Sequence, residues 1–194
     1  MIIIILGPSG CGKGTQADRL AEKYHLTHIS TGDLLRRAYA DKTQLGIEAH
    51  RHWRLGHWAP TSTVGPLLAS ELEKYPDGNF ILEGWPRMPE QTGVFEDYLK
   101  SHKLKIDRVI YLDTPKDLCR ERIRQRTAKA QKLGFKPRPD DQPEIVEERL
   151  ESYDRTIQPI LDYYRNRDLI SVVDNRGSVD EVFGSLVKIV DDKN

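Results

Sequence analysis

The sequence predicts an α/β protein in which a five-stranded parallel sheet is flanked by helices. Three observations carry this reading. Ile2-Ile-Ile-Ile-Leu6 is a continuous apolar, largely β-branched run, the signature of a strand buried on both faces. A glycine-rich turn follows directly and opens into a stretch of helical period. Beyond it, short β-branched runs alternate with longer helical stretches, the pattern of a parallel sheet.

Each element has its own justification. Thr15 to Tyr24 reads as the first helix, because Ala17, Leu20 and Ala21 recur at helical spacing. Leu26–Ser30 is a short second strand. Helices are expected over 31–40 (Leu34, Leu35, Ala38) and 44–55 (Leu45, Ile47, Ala49). Pro60 breaks the chain. Val64, Leu67, Leu68 and Leu72 carry the next helix, which ends near Pro76-Asp-Gly78. Asn79–Glu83 is a strand, Glu90–Ser101 a helix and Arg108–Asp113 a strand. Pro115 opens a helix in its first turn, where a missing N–H costs nothing. Pro143 opens a long one reaching about Arg165, with a kink expected at Pro159. Leu169–Val173 is the last strand and Asp180–Val190 the last helix.

At 194 residues the chain fits one large domain, or one domain with insertions. Thirty basic and thirty acidic residues cancel, which argues against a bulk nucleic-acid binder. The two cysteines, Cys11 and Cys119, form no Cys-x-x-Cys pair, so neither a zinc site nor a disulfide framework is expected. The longest apolar run is far too short to cross a membrane and lacks a basic leader, so a cytoplasmic protein without a membrane partner is expected. Charge is nevertheless segregated. Arg120–Arg138 holds eight basic residues and one acidic, and Pro139–Asp154 holds seven acidic and one basic. These blocks are either two solvated faces that attract each other or an anion-binding segment.

Gly7-Pro-Ser-Gly-Cys-Gly-Lys-Gly-Thr15 decides for the anion. It fits the phosphate-loop pattern G-x-x-x-x-G-K between a strand and a helix. Glycines let successive N–H groups converge, the helix dipole adds partial positive charge, and Lys13 adds a full one. The hydroxyl that normally follows the lysine comes one residue later, at Thr15, after Gly14. Cys11 fills a small loop position, or is a thiol whose oxidation would block nucleotide binding. Phosphoryl transfer also needs cations around the moving oxygens, and Arg36, Arg87, Arg122, Arg126, Arg138 and Arg149 are the candidates.

Four blocks together resemble adenylate kinases nearly end to end: GPSGCGKGTQ (Gly7–Gln16), STGDLLR (Ser30–Arg36), EGWPRMPEQ (Glu83–Gln91) and RPDDQPEIVEER (Arg138–Arg149). Tyr153 and Thr156-Ile-Gln-Pro159 follow in the same order. The resemblance implies a single nucleotide kinase domain over 1–194 with a P-loop NTPase-type core (1–29, 60–125, 139–194). It adds a monophosphate-binding insert (30–59) and a short, zinc-free lid (126–138). It implies the reaction Mg·ATP + AMP ⇌ 2 ADP by direct in-line transfer, with Mg2+ the cofactor and ATP, AMP and ADP the partners.

By position, the resemblance assigns ATP to Gly10, Cys11, Gly12, Lys13, Gly14, Thr15, Arg122, Arg126 and the backbone at Gly177. AMP falls to Thr31, Arg36, the backbone at His57, Trp58 and Ala59, then Gly84, Trp85, Pro86, Arg87 and Gln91, with Arg138 and Arg149 bridging to the transferring phosphoryl. Lys13, Arg87, Arg126, Arg138 and Arg149 would carry catalysis. Asp33, Glu83 and Thr15 would orient magnesium-bound water. Gln91 holds a donor and an acceptor, which match N1 and the exocyclic amine of adenine. With Thr31 it favours AMP over other monophosphates.

The sequence departs from the family pattern at a few positions. Glu83 replaces the usual Asp, which bears on turnover or metal preference rather than on fold. Trp85 replaces Phe, and Ala59 beside Trp58 replaces a larger aliphatic. His50, His52, Trp53, His57 and Trp58 form an unusual cluster. Its spacing does not suit a metal, since His50 and His52 diverge on a helix, and a role in the core or on the surface of the insert is expected. The competing readings are a kinase for another nucleoside monophosphate and a sensor that binds adenine nucleotides without turnover. Every site can be built from one copy, so a monomer is the economical expectation.

Overall fold

The computed structural model describes residues 1–192. Five strands form one parallel sheet in the order β2-β3-β1-β4-β5: β1 (Ile2–Leu6), β2 (Thr27–Ser30), β3 (Phe80–Glu83), β4 (Arg108–Asp113) and β5 (Ile170–Asp174). The apolar run of β1 is explained by its central place. Ile2, Ile4 and Leu6 enter one core, while Ile3 and Ile5 enter the other on the opposite face. Each such buried aliphatic contributes on the order of 1.5–3 kcal/mol.

The helices divide between the two faces. α1 (Lys13–Tyr24), α6 (Lys116–Lys132) and α8 (Val179–Asp191) cover one, through Leu20, Ile123 and Leu186 among others. α4 (Thr61–Leu72) and α5 (Glu90–Ser101) cover the other, with α2 (Thr31–Ala40) and α3 (Gln44–Trp53) packed beside α4. α7 (Pro143–Arg165) serves both: Val146 and Leu150 enter the first core, Ile157, Ile160 and Tyr164 the second. This helix therefore passes from one side of the sheet to the other and carries Arg149 with it.

Element boundaries differ from expectation where glycine and proline are involved. α1 starts at Lys13, two residues early, because Gly12 caps it in a left-handed conformation (φ 97°) that frees the next N–H groups. Pro159 lies inside α7 without ending it. A short 3-10 turn at Pro139–Asp141, absent from the sequence reading, leads into α7. The first half of the expected lid, from Arg126, is simply the continuation of α6 to Lys132.

The basic and acidic blocks do face each other. Arg120 bonds Glu147 at 2.6 Å, and Arg126 bonds Asp141 at 2.5 Å. Within the His/Trp cluster the Tyr39 and His50 rings stack at 4.0 Å and Trp53 meets both edge-on, joining α2 to α3, whereas His57 is exposed. No described helix is long and apolar enough to cross a membrane.

Candidate active site

In this strand order the chain turns left after β1 and right after β3, so their carboxyl ends flank a switch point, where open α/β sheets bind ligands. The loop after β1 is braced from beneath. Lys13 donates Nζ to the carbonyls of Gly7 and Pro8, both at 2.8 Å. Arg122 Nη1 and Asn175 Nδ2 both donate to the Cys11 carbonyl, at 2.6 and 2.7 Å. With these carbonyls held below, and the Cys11 N–H donating to Pro8 O at 3.2 Å, the remaining N–H groups of the loop are left for a ligand. Gly10 (φ 84°) admits no side chain, since a Cβ would lie 2.6 Å from Ile123 Cγ1. Cys11 is buried, and burial pushes the Cys119 thiol up to about 12.

Above the loop lies a broad, open cleft. All the residues the sequence assigns to ATP line it: Gly10, Cys11, Gly12, Lys13, Gly14, Thr15, Arg122, Arg126 and Gly177. Arg122 is spent on loop carbonyls, with Nη2 also donating to Asn175 O at 2.9 Å, so it shapes the loop as well as facing the cleft. Asp33 and Glu83 line the same cleft. Ser30 Oγ donates to Glu83 Oε1 at 3.1 Å, which leaves Oε2 near the phosphate loop, 3.5 Å from where a Gly14 Cβ would stand. Asp33 is paired with Arg36 at 2.6 Å.

A second, narrower cavity opens between the 30–59 segment and β3. Thr31, Arg36, His57, Trp58, Ala59, Gly84, Trp85, Arg87, Gln91 and Arg149 line it, as expected. Pro86 is buried next to Trp85, and Arg138 lines the first cleft. Gln91 is narrowed. Its Oε1 accepts from the N–H groups of Arg87 (2.7 Å) and Met88 (3.2 Å), and Nε2 donates to Thr61 Oγ1 at 3.3 Å. The acceptor is therefore consumed by the backbone, and only a donor remains for a ligand. Thr31 Oγ1 donates to Gly84 O at 2.8 Å, bonding α2 to the turn after β3.

Arg36, Arg87 and Arg149 line both cavities. Burial, then Arg149, pulls the Arg87 guanidinium down to about 10 against the opposing pull of Glu83. Burial also lowers Arg138, with Arg36 and Arg126 adding to it. These cations repel one another, and an anion at their centre is favoured. Two carboxylates that the sequence reading left without a role balance them in part. Asp140 accepts from Arg149 at 2.7 Å, and Asp141 from Arg126 at 2.5 Å. Their signal lay in the RPDD block. Asn175, which holds Cys11 and Thr114, had none in the sequence.

Burial alone would raise the Asp140 carboxyl, but Arg149, Arg36 and Arg138 hold it below its ordinary value of 3.8. Its folded value is thus depressed, so its stabilisation is complete above pH 3.8 and is lost as pH falls through the folded value. Asp140→Asn should lower stability at pH 7 by roughly 1–3 kcal/mol. It should also flatten the loss of stability below about pH 4. Urea midpoints from pH 7 to pH 3 test this, and parallel curves for the two proteins would refute it.

Among the described residues no three His, Cys, Asp or Glu side chains form a cation cage. The donor set of the first cleft suits magnesium, which keeps most of its waters and is held by one or two carboxylates plus substrate phosphates.

Residues 5–169 match the profile of the family described as adenylate kinase. Curated relatives named adenylate kinase include that of Pyrococcus horikoshii, 35% identical across 98% of this chain and 96% of its own. That of Salinibacter ruber is 35% identical across 98% of both chains, and that of Bifidobacterium longum 36% across 96% of this chain and 98% of its own. With the phosphate loop at the switch point and match lengths close to the whole chain, the chain belongs to the adenylate kinase family.

Proposed function

We propose that the protein transfers the terminal phosphoryl group of ATP to AMP, giving two ADP, and runs the reverse. The observation that carries this is the arginine trio of Arg36, Arg87 and Arg149, which borders both cavities at once. An oxygen of the AMP phosphate, entering from the second cavity, attacks the γ-phosphorus from the first. The bond to the β–γ bridging oxygen breaks, and ADP leaves on the loop side. Lys13 and the loop N–H groups hold the β- and γ-phosphates, while Arg126, Arg138 and Arg149 offset charge on the moving oxygens. Glu83, Asp33 and Thr15 are the side chains that would hold the waters of a magnesium ion bound with ATP, and such an ion would supply charge neutralisation on the outer phosphates. In this reading residues 30–59 are the monophosphate-binding insert, 126–138 the lid and the rest the core, acting as a cytoplasmic monomer.

Gln91 sets the acceptor. Its remaining N–H needs an acceptor, and in this reading the ring nitrogen of the base, N1 of a purine or N3 of a pyrimidine, stands opposite it. Adenine N1 has a lone pair, and guanine N1 and uracil N3 carry hydrogens instead. A buried donor facing another donor is rejected strongly, by up to about 10⁴ in the best cases. A coupled assay of ADP formation from Mg·ATP with AMP, CMP, UMP and GMP should give turnover with AMP far above the rest. CMP should come second, because cytosine N3 also accepts. Preference for GMP or UMP would overturn the Gln91 assignment. ATP binding without any turnover would mean a nucleotide sensor.

A further inference from the structure

We propose that Trp58 is a positioning residue for Arg87, holding its guanidinium flat so that both terminal nitrogens meet the acceptor's phosphate. The inference rests on the reading above, that a nucleoside monophosphate occupies the second cavity. Arg87 is fixed on one side by Nε, which donates to Gly84 O at 2.9 Å. Its central carbon lies 4.4 Å from the centroid of the Trp58 ring, within the range of a cation–π contact. Among the described residues its two terminal nitrogens make no hydrogen bond, and the residue lines both cavities.

The chemistry of this arrangement is specific. Burial and the neighbouring Arg149 disfavour the Arg87 charge. An aromatic face returns some of that stabilisation without offering an acceptor that would compete with phosphate. A carboxylate in the same place would fix the arginine equally well but would occupy the nitrogens the ligand needs. Trp58 comes from the 30–59 segment and Arg87 from the turn after β3. The stack therefore also couples the position of that segment to the readiness of the phosphate grip. A leucine or valine at position 58 would close the cavity wall as well, but it would leave the guanidinium free to rotate about its bond to Gly84.

A double-mutant cycle separates this from simple packing against the nucleotide base. AMP binding is measured by calorimetry for the unaltered protein, Trp58→Leu, Arg87→Ala and the pair, with CMP, UMP and GMP run alongside. Trp58→Leu should weaken AMP binding about 5- to 20-fold, leave ATP binding unchanged, and raise KM for AMP more than it lowers kcat. Trp58→Phe, which keeps an aromatic face, should recover most of the loss. In the Arg87→Ala background, Trp58→Leu should cost less than about twofold. An equal loss in both backgrounds would overturn the proposal, as would adenosine losing as much affinity as AMP. If another monophosphate proves to be the acceptor, the proposed function fails and the cycle is read on that ligand. If no monophosphate binds the unaltered protein, both fail.

Discussion

Arg149→Met is expected to lower turnover by roughly 10³- to 10⁵-fold, the range over which a single well-placed arginine acts in phosphoryl transfer. Arg149 borders both cavities, comes from the helix that crosses the sheet, and is held by two bonds to Asp140, to its carbonyl at 3.1 Å and its carboxylate at 2.7 Å. Both partners are mostly buried, with side chains 15% and 12% exposed. Removing the arginine alone therefore strands a buried carboxylate, at a cost of about 3–5 kcal/mol in stability. The double variant Arg149→Met with Asp140→Asn separates the two effects. It should regain much of the lost stability while turnover stays low, since the transferring group still lacks its cation. Single-turnover rates at saturating ATP and AMP give the measurement. Recovery to within tenfold of the unaltered enzyme in the double variant would place Arg149 in a structural role.

Most of the fold was legible, because β-branched runs and helical periods specify elements locally. β1 is the clearest case, since a strand central to a parallel sheet must be apolar on both faces. The site was legible for a different reason. A phosphate loop needs a particular residue order, and the remaining residues were carried by resemblance. What escaped depends on three-dimensional partners. Nothing local marks Asn175 as the brace under Cys11, because its partners lie 164 and 61 residues away. Gln91 could be named but not oriented, since only the turn at Arg87 and Met88 shows that its oxygen is already used. The run of basic residues was ambiguous for a similar reason. Arg120 answers Glu147 on α7, whereas Arg126 both answers Asp141 and faces the cleft. One block thus forms an ion-pair face at one end and lines the cleft at the other.

Arg87→Ala is the second change with a large expected effect, and it falls on one substrate only. Arg87 sits at the wall between the cavities, but its anchors, Gly84 O and the Trp58 ring, both belong to the second. Its loss should lower kcat/KM for AMP by about 10³-fold, the range for a charged, bidentate phosphate contact that strengthens in the transition state. ATP affinity should stay within about twofold, because Lys13 and the loop are untouched. Arg87→Lys should recover only a small part, since an ammonium restores the charge but not the planar fork. Burial and Arg149 disfavour the Arg87 charge, but a guanidinium stays protonated across the working pH range, so the loss in Arg87→Ala is the loss of a permanent cation. Arg87→Ala retaining AMP turnover within a few fold would move the phosphate grip to Arg36 and Arg149 alone.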